Sequence, residues 1–125
     1  MRIPGLAIIV LLTGCVTEEN VVGKVGNTWC RRLAECDRAS FEEQHASHGD
    51  CVDDFRDTFE PWQECRIEHG CDWEPSEVSR CRSELRNQSC SEVVDGGWLN
   101  VCAETYTCSG SQEAAANLCW LTGGP

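Results

Sequence analysis

The chain is poor in cations, poor in lysine and without a long apolar run. It has 10 Lys and Arg against 21 Asp and Glu, a formal net charge of -11. Lys24 is the only lysine. A basic footprint for phosphate is missing, which excludes nucleic acid as a partner. The longest apolar run is Leu6 to Leu12. As a helix it would span about 10 Å, far below the roughly 30 Å of a bilayer core, which excludes a membrane-spanning helix there. There is no C-x-x-C pair, the commonest redox-enzyme signature, and no G-x-S-x-G elbow for a serine nucleophile. The length of 125 residues allows one domain or two very small ones.

What the chain has is cysteine: 11 of them, with 5 tryptophans. Ten follow residue 28: Cys30, Cys36, Cys51, Cys65, Cys71, Cys81, Cys90, Cys102, Cys108 and Cys119. An even set predicts five disulfides if the chain is exported, as its opening residues imply. Zinc-binding pairs use C-x₂₋₄-C spacing, whereas the closest pairs here, 30/36, 65/71 and 102/108, are all C-x₅-C. That spacing argues against metal ligation by the cysteines. Residues six apart in a helix are about 9 Å apart along its axis, beyond the roughly 7 Å Cα limit of a disulfide. Cys30 and Cys36 should therefore each join a neighbouring element. The spacing does not otherwise fix the pairing.

The patterning is helical. Trp29, Cys30, Leu33 and Cys36 recur at three and four residues, with Asn27 or Thr28 as the cap. Ser40 to Glu43 has capping-box spacing before a short turn. Cys51, Phe55 and Phe59 form an i, i+4, i+8 stripe, with Asp50 as N-cap and Pro61 as a kink or stop. Pro75 suits N1 of a helix burying Val78, Cys81 and Leu85. A short SEVV turn and Gly96-Gly97 follow. Residues 98–107 read as helix with a strand as the alternative, and Ser111 caps a last helix through Cys119. The expected fold is all-α, a small disulfide-stapled bundle of four to five short helices. Short helices are marginal alone, and cross-links supply what a small core lacks.

The opening MRIPGLAIIVLLTGC places Leu12-Thr13-Gly14-Cys15 after an apolar h-region. These residues resemble the lipobox of bacterial lipoproteins. The resemblance implies cleavage between Gly14 and Cys15 and acylation of Cys15, with two or three chains giving a stable anchor. Val16 in place of Asp leans toward the outer membrane. The domain division expected is then a signal peptide at 1–14, an acylated N-terminus and flexible tether at 15–27, a Cys-rich helical domain at 28–121 and a disordered tail at 122–125.

WCRRLAECD (29–37), SFEE (40–43), GDCVDDF (49–55) and CDWEPSEVSRCRSELRNQSC (71–90) also resemble small Cys-rich lipoproteins of myxobacteria. The resemblance implies an envelope location and a helical fold, and carries over no catalytic residue or cofactor. The triplets Cys65/Cys71/Cys81 and Cys102/Cys108/Cys119 have related spacings, for which chance is favoured over duplication.

Candidate sites are few. His45 and His48 could share a metal, but their polar surroundings favour surface histidines. His69 beside Gly70 lacks a catalytic companion. The acidic run 50–64 lacks the D-x-[DN]-x-[DN]-G ladder for calcium and reads as a solvated helix face. No residue is assigned to a metal or to catalysis. Trp29, Trp62 and Trp98 are core candidates, and Trp73 and Trp120 a candidate binding surface. The function expected is a lipid-anchored, non-enzymatic binding or structural domain of the cell envelope. Its partners are the membrane through Cys15 and an unidentified envelope protein. The alternatives are a small thiol-redox or hydrolytic envelope enzyme, and an acidic metal-binding lipoprotein.

Overall fold

In the computed structural model, residues 16–96, 99–108 and Cys119 are described. The first helix, α1 (Val21–Cys36), begins inside the segment expected to be a tether. Val21, Val22 and Val25 are buried on its inner face, and Gly26 lets it approach its neighbour closely. A Cβ at Gly26 would meet the Phe55 ring at 2.8 Å. The turn before it is closed by Thr17 and Asn20, whose side chains accept from each other's backbone N–H at 3.2 and 2.8 Å. The tether reading of residues 21–27 is thus corrected. Gly26 marks close packing rather than chain freedom.

Asp37 ends α1 and starts α2 (Arg38–Gln44). Its N–H donates to Leu33 O, and its carboxylate accepts from the Ser40 N–H at 3.1 Å. The cap is therefore Asp37, not the Ser40 that the box spacing suggested. Helix α3 (His48–Glu68) is capped by Ser47, which accepts from the Asp50 N–H; Asp50 sits one turn inside. The helix runs through Pro61 rather than stopping there. Buried residues lie on both sides of the proline, Cys51 and Phe55 before it and Trp62 and Gln63 after it. This packing outweighs the roughly 3 kcal/mol cost of an interior proline. Gly70, with φ 74°, reverses the chain.

Helix α4 (Pro75–Asn87) carries proline at its start and buries Val78, Cys81 and Leu85, as the stripe predicted. The expected SEVV turn is a short helix, α5 (Cys90–Val94), with a full Ser89–Glu92 capping box. One helical turn, α6 (Leu99–Cys102), and a 3₁₀ turn at Ala103–Thr105 follow. Two short strands, β1 (Asp72–Trp73) and β2 (Tyr106–Thr107), then pair antiparallel, with Asp72 opposite Thr107. The strand alternative thus holds at the end of 98–107.

Among the described residues the domain is all-α apart from this ladder: five helices, the α6 turn and the 3₁₀ turn, stapled by five disulfides. Helix α1 is central and packs on α3, α4 and α5. Its valines, Phe55, Val78, Leu85 and Val93 form the main core. Cys30, Phe41 and Cys51 form a second cluster, and Trp62, Tyr106 and Cys119 a third.

The bridges are Cys30–Cys51, Cys36–Cys90, Cys65–Cys119, Cys71–Cys108 and Cys81–Cys102. Cys30 and Cys36 do go to different partners, as their helical spacing requires. The last three bridges are nested, so the two cysteine triplets bind each other in reverse order. This pairing makes them two halves of one closed hairpin.

Candidate functional site: a histidine–aspartate cluster

His45 leaves α2 as its C-cap, in extended backbone. Asp50 and Asp54 are four apart on α3, which places both carboxylates on one face. The three converge. His45 Nδ1 lies 2.9 Å from Asp54 Oδ2 and 3.9 Å from Asp50 Oδ2. Asp50 Oδ2 also accepts from the Ala46 N–H at 3.0 Å, which orients the carboxylate. The imidazole packs against Phe41, with ring centroids 5.4 Å apart. Its side chain is 12% exposed, against 47% and 56% for the two aspartates. A half-sheltered nitrogen thus faces two wet oxygens.

One imidazole nitrogen and two carboxylate oxygens are a donor set suited to zinc. Zinc bonds of 2.0–2.1 Å in a tetrahedron place ligand atoms about 3.3 Å apart. The two measured separations from His45 Nδ1 bracket that edge, and all three donors lie within 4.8 Å of one another. A fourth position remains for water. Calcium is matched less well, since it takes six to eight oxygens.

His48 is not part of this cluster. Its Nε2 faces Asn27 Oδ1 at 2.6 Å, so the two imidazoles do not pair, and His45 meets carboxylates instead. The sequence reading assigned no metal ligand; the structure brings these three donor side chains within 4.8 Å of one another. The signal is H-x₄-D-x₃-D, visible once the aspartates are placed on a helix. The rest of the acidic run is as expected: Asp53, Asp57, Glu60 and Glu64 are exposed along α3.

His69 also has cysteine neighbours, within 4.8 Å of the sulfurs of Cys65 and Cys119. Those sulfurs are joined to each other. Zinc is bound by thiolates, so this group is not a zinc site in the oxidised protein.

Of the tryptophans, Trp62 is buried, and Trp29 and Trp73 are half-buried against the core. The Trp73 Nε1 is buried without a partner, so this residue packs more than it presents. Trp98 and Trp120 lie outside the described residues. So do the signal segment, Gly14, Cys15, the helix expected after Ser111 and the tail at 122–125.

A groove of about 410 Å³ runs past Arg31, Arg38, Phe41, His45 and His48. The apolar void between Val21, Val25, Phe55, Phe59 and Tyr106 holds about 30 Å³, far below the roughly 300–1,000 Å³ of small-molecule sites. Among the described residues no helix is long and apolar enough to cross a membrane. Comparison of the chain with known protein families, with curated proteins and with solved structures gave no match.

Proposed function

We propose that the protein is a non-enzymatic, divalent-cation-binding domain of the cell envelope, with zinc as the best-matched ion and His45, Asp50 and Asp54 as its ligands. The observation that carries the reading is the approach of one imidazole nitrogen and two carboxylate oxygens, all within 4.8 Å of one another. The surrounding fold supports it. Cys51, buried on α3 one residue from Asp50, is tied to Cys30 on α1, so the helix that carries both aspartates is held in place. The Ala46 N–H and the Phe41 ring fix the carboxylate and the imidazole. Such outer contacts typically contribute 10–100-fold to metal affinity.

The same reading places the domain on a lipid surface through an acylated Cys15, on the strength of the lipobox resemblance. Cys15 lies three residues before Glu18, which is hydrogen-bonded to the domain body. Three residues span at most about 10 Å. An anchor at Cys15 then keeps the domain within that distance of the lipid headgroups, with little freedom to tumble.

Calorimetric titration of the fully oxidised protein with zinc and with calcium tests the cation reading. One equivalent of zinc should bind. His45→Ala and Asp54→Asn should each weaken binding by more than about tenfold. Calcium should bind more weakly than zinc. Absence of zinc heat at millimolar metal, or equal binding by the His45→Ala variant, would overturn it.

A further inference from the structure

The five bridges do not have equal chemical surroundings. Arg66, on α3, donates from Nη1 to Cys108 Sγ at 3.1 Å. Its guanidinium lies over the Trp62 ring, 5.4 Å from the centroid. Its Nε is buried without a partner. Among the described residues it forms no ion pair with a carboxylate. A half-desolvated cation is thus aimed at one sulfur of one disulfide. Cys71 and Cys108 are both half-buried residues, less enclosed than the members of Cys30–Cys51 and Cys81–Cys102.

A thiol–disulfide exchange runs faster when the departing sulfur is stabilised as a thiolate, and a neighbouring arginine lowers a thiol pKa. We propose that Cys71–Cys108 is a thiol-exchange site, in which an incoming small thiolate attacks Cys71 and Cys108 departs as a thiolate held by Arg66. The attacking sulfur forms a bond to Cys71 Sγ as the Cys71–Cys108 bond breaks. The bonding pair passes to Cys108 Sγ, so charge is conserved. A second small thiol then attacks the mixed disulfide. It releases Cys71 as a thiolate and leaves with the first as their own disulfide.

The rival by exposure is Cys36–Cys90, because Cys90 is exposed. Attack at Cys90 expels Cys36, the last residue of α1, with Asp37 next in sequence. The negative end of a helix disfavours a thiolate. Attack at Cys36 expels Cys90, the first residue of the five-residue α5, to whose sulfur no arginine donates among the described residues. Cys30–Cys51 and Cys81–Cys102 are buried, at 6% exposure or less for every member. Cys119 of the remaining bridge is buried at 7%.

The test is limited exchange of the native oxidised protein with reduced glutathione, trapped with iodoacetamide and mapped by peptide mass under non-reducing conditions. The first product should carry glutathione on Cys71 and the alkyl group on Cys108. Arg66→Gln should slow this opening about tenfold relative to that of Cys36–Cys90 in the same molecule. Arg66→Lys should retain most of the rate. Using the ratio separates a local effect from general loosening of the fold, which speeds both bridges. First opening of any other bridge, glutathione on Cys108, or an unchanged ratio in Arg66→Gln would overturn the proposal.

Discussion

The Tyr106 hydroxyl donates to Glu18 Oε2 at 2.8 Å, joining the two ends of the described chain across 88 residues. Gln63 Nε2 completes the junction, donating to Glu18 O at 2.7 Å and to Tyr106 Oη at 3.0 Å. The Tyr106 ring meets Trp62 edge-on at 5.7 Å. Burial pushes the Tyr106 hydroxyl well above the ordinary tyrosine pKa. Its hydrogen bond to Glu18 and that carboxylate's charge push the same way, while the Gln63 contact opposes them.

A pH dependence follows. Below about pH 10, the ordinary tyrosine pKa, Tyr106 is protonated whether the chain is folded or not. Above it, the unfolded chain releases the proton while the folded chain retains it. Stability therefore falls as pH rises beyond about 10. Tyr106→Phe should lose about 1 kcal/mol at neutral pH and should show a shallower alkaline decline. Thermal melts by circular dichroism between pH 7 and 11 measure both. An alkaline slope unchanged in the variant would contradict the assignment.

The two glycines of α1 should respond in opposite directions. At Gly26 the clash is with the Phe55 ring, which stacks on Phe59 at 4.0 Å and has little room to yield. Gly26→Ala should cost about 1–3 kcal/mol. At Gly23 the nearest atoms belong to the end of the exposed Arg56 side chain, which can swing away. Gly23→Ala should stabilise by up to about 1 kcal/mol through helix propensity. Urea unfolding midpoints of the two variants check this pair.

Lipid anchoring is tested on the protein taken from its native membrane. Intact mass should show a chain beginning at Cys15 with added acyl chains. Alkylation without reductant should add nothing, since ten cysteines are paired and an acylated Cys15 would be a thioether. Retention of residues 1–14, or an alkylated Cys15, would remove the membrane half of the proposed function.

Much of the scaffold was legible in the sequence. The Val78, Cys81 and Leu85 stripe and Pro75 defined α4, and the helical spacing of Cys30 and Cys36 excluded their mutual bridge. The first turns of α1 were not legible, because Gly23 and Gly26 lower helix propensity. Only the approach of Phe55 shows why glycine is needed at 26. At Pro61 the sequence left a kink, a stop or a resumption toward Gly70 open; the helix runs on because packing on either side overrides the local penalty. The candidate site was half legible. Asp50 and Asp54 share a face on any helical wheel, but His45 joins them only through the reversal between α2 and α3. The Arg66–Cys108 contact spans 42 residues and leaves no local trace.

The most direct measurement is long-range ¹H–¹⁵N NMR of the imidazole nitrogens during a zinc titration of the oxidised protein. His45 Nδ1 should shift and saturate at one equivalent, while the ring nitrogens of His48 and His69 stay in place. The shift should be lost on acidification, because zinc requires a neutral imidazole. A response at His69 or His48 instead, or no response at any of the three, would contradict the cation site at His45, Asp50 and Asp54.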